Sequence, residues 1–72
     1  MARQPDYSFF IRRLDRRVGD IWNLAADDPD RALARAIAFR HWLDLHPMTG
    51  EHELARKVFL GQLSELIRLL TR

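Results

Sequence analysis

Residues 7–26 of the chain, YSFFIRRLDRRVGDIWNLAA, carry apolar side chains at alternating intervals of four and three residues. This spacing places the side chains on one stripe of an α-helix. The stripe consists of Tyr7, Ile11, Leu14, Val18, Ile21 and Ala25, and it is widened by Phe10 and Trp22. The opposite side carries Arg12, Arg13, Arg16, Arg17 and Asp20. The pattern predicts an amphipathic helix from about residue 6 to residue 26.

The prolines mark where three helices begin. Three prolines divide the chain into nearly equal pieces: Pro5, Pro29 and Pro47. A proline in the first turn of a helix loses no intrahelical hydrogen bond, and its φ angle already suits a helix. Asp28 is the expected N-cap of a second helix over residues 29–45, which Pro47 should end. Thr49 or Gly50 is the expected cap of a third helix over residues 50–71, with Glu51 and Glu53 near its positive end.

The second and third helices have their own apolar stripes. In the second, the main stripe is Ala32, Ala36, Phe39 and Leu43, and in the third it is Phe59, Leu63, Leu66 and Leu70. The second helix also has small residues on several sides, including Ala34 and Ala38, which suits a middle helix approached closely by two neighbours. On the third helix, Glu53 and Lys57 form a favourable i,i+4 pair.

Short connections between the helices favour antiparallel neighbours. The predicted fold is therefore all-α, an up-down-up three-helix bundle in a single helical domain spanning residues 1–72. A chain of 72 residues has a small core, so we expect homodimerisation to complete the bundle.

Composition excludes several classes of protein. The chain has no cysteine, so it has no disulfide framework, thiolate nucleophile or cysteine-based metal site. Its first residues lack the apolar segment of a signal peptide, and the apolar runs are too short to span a bilayer. We expect a cytoplasmic chain that is not processed and has no membrane partner. A small, cysteine-free helical chain rich in arginine, leucine and alanine is also associated with bacterial or phage accessory proteins.

Charge is distributed in blocks and does not make the whole chain basic. The formal net charge is only +2, from 12 basic and 10 acidic residues. Residues 1–17 and 31–72 are net positive, whereas residues 18–30 carry Asp20, Asp27, Asp28 and Asp30 and no basic residue. Nucleic-acid binding is therefore possible but is the less favoured expectation, because binders of nucleic acid concentrate positive charge on one face.

The candidate partner-binding surface lies on the first helix. Arg12, Arg13, Arg16 and Arg17 project within one arc, where like charges repel unless Asp15 and Asp20 screen them or an acidic partner binds. Phe9 falls on the same polar side and either stacks on Arg13 or anchors an interface. Trp42, beside Arg31 and Arg35 in the second helix, raises the same two alternatives. The competing interpretation is a solvated charged face.

A second candidate surface lies on the third helix, which is apolar around more of its circumference than one small bundle can cover. The residues expected to mediate self-association are Leu54, Val58, Leu60, Ile67 and Leu69. Exposed apolar patches tend to mark interfaces. Gly61 lies inside this helix, where alanine would stabilise the helix by about 1 kcal/mol more. Either the glycine is a tolerated neutral substitution or another backbone approaches it closely.

No motif predicts a metal site, a cofactor or catalysis. His41, His46 and His52 lack the spacing that places two imidazoles on one helical face. No phosphate-binding glycine loop or nucleophile motif is present, and the aspartates near Pro29 are typical of a helix start. A helix-turn-helix is disfavoured because the third helix begins with Glu51 and Glu53, which would repel a phosphate-lined groove.

These observations predict a non-enzymatic protein–protein interaction module, a homodimer that acts as a small regulator, adaptor or inhibitor of a larger complex. Its partner would be a protein with an acidic surface. The alternative is a small nucleic-acid-associated protein whose first-helix arginines bind phosphates. A structural subunit that folds only within an assembly is a third possibility.

Overall fold

The computed structural model of the protein describes residues 6–72, and within this range it is all-helical. Helix α1 spans Tyr7–Asp27, α2 spans Pro29–Leu45 and α3 spans Gly50–Leu70. These bounds lie within one residue of those expected from the apolar spacing. Pro5, the expected first helix start, and Arg3, which contributes to the first basic block, lie outside the described residues.

A single residue, Asp28, separates α1 from α2. Its backbone N–H donates to the Leu24 carbonyl at 2.7 Å, and α1 ends here because the φ of Asp28, −144°, is not helical. Its side-chain oxygen accepts a hydrogen bond from the Arg31 backbone N–H at 3.1 Å and so caps α2. Pro29 occupies the first turn of α2, where its missing N–H costs nothing. The prediction that Asp28 is the N-cap is therefore confirmed.

All three pairs of helices pack against one another around one core. Each helix contributes four buried apolar residues: Phe10, Leu14, Val18 and Ile21 from α1; Ala32, Ala36, Phe39 and Leu43 from α2; and Ala55, Phe59, Leu63 and Leu66 from α3. The stripes read from the sequence supply most of this core. Tyr7 and Trp22 are partly exposed at its margin, so the stripe of α1 is narrower than expected.

The connection from α2 to α3 is held by Arg56, the one charged side chain buried within residues 6–72. Its Nη1 donates to the Leu43 carbonyl at 2.7 Å, near the end of α2. Its Nε and Nη2 donate to the two carboxylate oxygens of Glu53, each at 2.7 Å. Glu53 also accepts a hydrogen bond from the Met48 backbone N–H at 2.9 Å. One ion pair therefore joins the end of α2, the connection and the start of α3.

One expectation for this region needs correction and another is confirmed. Glu53 pairs with Arg56 and not with Lys57, because a guanidinium three residues away binds both carboxylate oxygens and reaches α2 as well. These hydrogen bonds, first from Arg56 and then from Met48, lower the pKa of Glu53 to about 2. Thr49 is the N-cap of α3, one of the two caps expected from the sequence. Gly50 is the first residue of the helix and has a φ of +58°, a left-handed conformation that favours glycine.

Candidate interaction surface

The outer side of α1 carries an aromatic ring among arginines. Phe9 is 52% exposed, and Arg12, Arg13 and Arg16 are exposed around it at helical spacings of three, four and seven residues. Arg17 lies on the flank of this surface that faces α2. We call these residues the α1 arginine face: Phe9, Arg12, Arg13, Arg16 and Arg17. The structure therefore brings together the α1 residues that the sequence nominated for partner binding.

The arginines of this face have no carboxylate partner within residues 6–72. The salt bridges in this range are Glu53–Arg56 and Glu65–Arg68, both within α3. Asp15 and Asp20, which could have screened the arginines, form no ion pair with them. Arg12 Nε instead donates to the Ser8 carbonyl at 3.3 Å. The positive charge of the face therefore remains open to an external partner.

Aromatic stacking within residues 6–72 involves α2, and of the two alternatives for Phe9 the stack on Arg13 is not formed. The Arg17 guanidinium lies over the Phe39 ring, 5.1 Å from its centroid. Phe39 stacks near Trp42, with centroids 6.3 Å apart and planes at 26°. Trp42 in turn stacks on His46, with centroids 4.4 Å apart and planes at 21°. We call Arg17, Phe39, Trp42 and His46 the ring ladder.

His46 closes the end of the ladder through a second contact. Its Nδ1 lies 2.7 Å from the Trp42 carbonyl oxygen. Because a carbonyl oxygen only accepts, Nδ1 is the donor of this hydrogen bond. The hydrogen bond and the ring contact together fix the imidazole against the indole.

An open cleft of about 510 Å³ lies between α1 and α2 beside the ladder. Its lining comprises Arg17, Asp20 and Ile21 from α1 and Arg35, Ala38, Phe39 and Trp42 from α2. Trp42 is 45% exposed, so it is available to a ligand in this cleft. Sequence reasoning placed Trp42 beside Arg35 but missed the contribution of Phe39 and Ile21. Phe39 and Trp42 are three residues apart and therefore adjacent on the helix, and this spacing is the signal that could have indicated the contribution of Phe39.

The outer side of α3 carries some of the nominated apolar residues next to exposed charged ones, including the Glu65–Arg68 ion pair. Leu54 and Val58 are well exposed and Leu69 is partly so. Leu60 and Ile67 are instead half-buried and pack against the core of this chain. A Cβ added at Gly61 would meet nothing within 4 Å. We call Leu54, Val58, Gly61 and Leu69 the α3 outer stripe.

The small residues of α2 do not all serve its two neighbours. Ala32 and Ala36 are fully buried between α1 and α3. Ala34 and Ala38, in contrast, are exposed, as are Ile37 and Leu45, although Ala38 borders the cleft between α1 and α2. The interpretation that both sets of alanines accommodate neighbouring helices is therefore wrong for the second set. Alanine occurs both in cores and on exposed helix faces, so composition could not separate the two.

The histidines do not converge on a metal-binding arrangement. His52 is half-buried, with its ring centroid 4.9 Å from that of Phe10 and 5.6 Å from that of Tyr7. Residues 6–72 hold no group of three histidines or carboxylates placed to bind a metal ion. No helix in the same range combines the length and apolar content needed to cross a bilayer.

Comparisons with protein-family models, with curated proteins and with solved structures gave no match for this chain.

Proposed function

We propose that the chain is a non-enzymatic protein-interaction module, a small regulator, adaptor or inhibitor of a larger complex, which binds an acidic protein partner through the α1 arginine face. One observation carries this proposal: exposed arginines without carboxylate partners in the described chain surround a half-exposed phenylalanine. Arginine and aromatic side chains are enriched where protein interfaces concentrate their binding energy.

The form of the surface favours a protein over nucleic acid. Asp20 and Asp27 follow the arginines along the same side of α1, so the positive region is short and ends in negative charge. A phosphate backbone tracking along the helix would meet these carboxylates, whereas a protein partner can complement both signs. Phe9 adds an apolar contact that phosphates do not need.

Self-association is the second part of the proposal. The α3 outer stripe presents Leu54 and Val58 to solvent, and the open space above Gly61 admits a helix from a second copy. Pairing of two such stripes would bury them in a symmetric dimer.

The ring contacts of His52 with Tyr7 and Phe10 bring the starts of α1 and α3 together, which supports the up-down-up order. We also propose a cytoplasmic location.

Charge reversal tests the partner-binding surface. The double variant Arg13→Glu/Arg16→Glu should weaken binding of a fluorescently labelled, glutamate-rich peptide by at least about tenfold. The double variant Arg40→Glu/Arg72→Glu changes the net charge equally on other faces and should bind as the wild type does. Fluorescence anisotropy measures both, and circular dichroism checks that helicity is unchanged. Equal binding by the two double variants would remove the α1 arginine face from the proposal.

A labelled DNA duplex and a single-stranded RNA distinguish the nucleic-acid alternative in the same assay. Phosphate binding would give an affinity for these probes that falls steeply with salt and depends little on sequence. Tight, salt-sensitive binding of nucleic acid with no binding of the peptide would replace the proposed function by that alternative.

A further inference from the structure

We propose that the cleft between α1 and α2 receives one large apolar side chain of the acidic partner, with Arg17 and Arg35 binding carboxylates that flank this anchor. The inference rests on the proposed function and specifies the chemistry of the partner. It makes the cleft and the α1 arginine face one continuous surface, because Arg17 belongs to both.

The lining of the cleft suits an apolar anchor between negative charges. Ile21, Ala38 and Phe39 provide apolar surface, and each wall contributes one arginine, Arg17 from α1 and Arg35 from α2, while Asp20 adds one carboxylate to the α1 wall. The volume of about 510 Å³ is ample for one side chain, and the cleft is open enough for the attached backbone to cross it. A guanidinium binds a carboxylate through two parallel hydrogen bonds, and the two arginines outnumber the one carboxylate of the lining, so the net charge of the cleft favours acidic residues beside the anchor.

The ring ladder argues against a nucleobase as the occupant. Single-stranded nucleic acids bind by stacking their bases on the faces of aromatic side chains. His46 lies against the indole of Trp42 with ring centroids 4.4 Å apart, whereas the Phe39 centroid is 6.3 Å away. His46 therefore occupies ring surface on which a base would stack.

The ladder also keeps the cleft formed before a partner binds. Arg17 rests on Phe39, and His46 is fixed to Trp42 by a hydrogen bond and by ring contact. Side chains that are already ordered lose less conformational entropy on binding, which favours affinity.

Two labelled glutamate-rich peptides test the anchor, one with a central phenylalanine and the other with alanine in its place. Burial of a phenylalanine side chain predicts that the first peptide binds at least about tenfold more tightly. Ala38→Leu fills the cleft and should reduce this preference to near unity. Ala34→Leu, one turn earlier on the same exposed side of α2 but outside the cleft, should preserve it.

Arg35→Gln gives a second measurement, which removes a positive charge from the cleft wall without filling the cleft. Arg35→Gln should weaken the binding of both peptides, whereas Arg31→Gln, on the same helix but outside the cleft, should leave their binding unchanged. Equal affinity of wild type for the two peptides, or an unchanged preference in Ala38→Leu together with unchanged affinities in Arg35→Gln, would overturn the cleft proposal. If the cleft proposal is overturned in this way but Arg13→Glu/Arg16→Glu still loses binding, the α1 arginine face remains the proposed binding surface. Failure of both peptides to bind wild type would instead remove the proposed function itself.

Discussion

Two leucines on α3 provide the sharpest test of the packing. Leu63 is 0% exposed at the centre of the core, whereas Leu54 is 68% exposed on the outer stripe. Truncation of a fully buried leucine to alanine costs about 2–5 kcal/mol, because apolar contact is lost and a cavity remains. A domain of this length has a net stability of only about 4–11 kcal/mol. Leu63→Ala should therefore remove a large part of the stability, and Leu54→Ala should change the monomer by less than about 0.5 kcal/mol.

Thermal unfolding followed by circular dichroism measures the difference. For a small domain, each kcal/mol corresponds to about 4–8 °C in Tm, so Leu63→Ala should lower the Tm by about 8 °C or more. The measurement is made at low protein concentration, where a dimer contributes least. A decrease of less than about 4 °C for Leu63→Ala would show that this side chain is not at the centre of the core.

The same pair of variants reports on self-association when the concentration is raised. Binding of a second copy stabilises only the folded state, so the Tm of a homodimer rises with protein concentration. If the α3 outer stripe forms the dimer, Leu54→Ala should flatten this rise while leaving the Tm at low concentration unchanged. A wild-type Tm that does not depend on concentration, with a monomer mass by light scattering, would contradict the proposed homodimer.

Three further predictions concern single positions. Gly61→Ala and Gly19→Ala each introduce a Cβ into open space within a helix, and each should stabilise the monomer by about 0.5–1 kcal/mol, as measured by urea titration. Only Gly61→Ala should also weaken dimerisation, as measured by sedimentation equilibrium. Asp28→Ala should lower the free energy of unfolding by about 1 kcal/mol, because the first turn of α2 loses its cap, and an unchanged urea midpoint would contradict that role. Glu53 has its pKa lowered from 4.5 to about 2 in the folded chain by its hydrogen bond from Arg56, so the stability it contributes is present above pH 4.5 and declines as pH falls towards 2. The Tm difference between wild type and Glu53→Gln should shrink over that interval, and a constant difference would exclude the ion pair.

The helices and most of the core could be predicted from the sequence because they depend on local periodicity. Leu14, Val18 and Ile21 recur at the helical repeat, and Asp28 before Pro29 is a strong local signal for a helix start. These features require no knowledge of how the helices are arranged. Their positions in the structure follow from the spacing alone.

The contacts that cross between helices could not be predicted in the same way. Lys57 and Arg56 both lie within reach of Glu53, and only the position of the Leu43 carbonyl on α2 favours the arginine. Arg17 stacks on Phe39 because α1 and α2 pack side by side, which no spacing along one helix encodes. The cleft depends on this same packing, so its lining emerges only when the fold is known.

The two proposed surfaces are geometrically compatible. Each helix of a three-helix bundle directs its outer side away from the other two, so a dimer joined through the α3 outer stripe leaves the α1 arginine face and the cleft of both copies accessible. Such a dimer would be bivalent, and a partner with two acidic segments would bind with an avidity set by the effective concentration of the second segment. Dimerisation would then control the strength of partner binding without any contact between the two surfaces. Weakening the dimer through Gly61 should reduce the affinity for a tandem peptide while leaving that for a single peptide unchanged, and parallel losses for both would show that the surfaces are not independent.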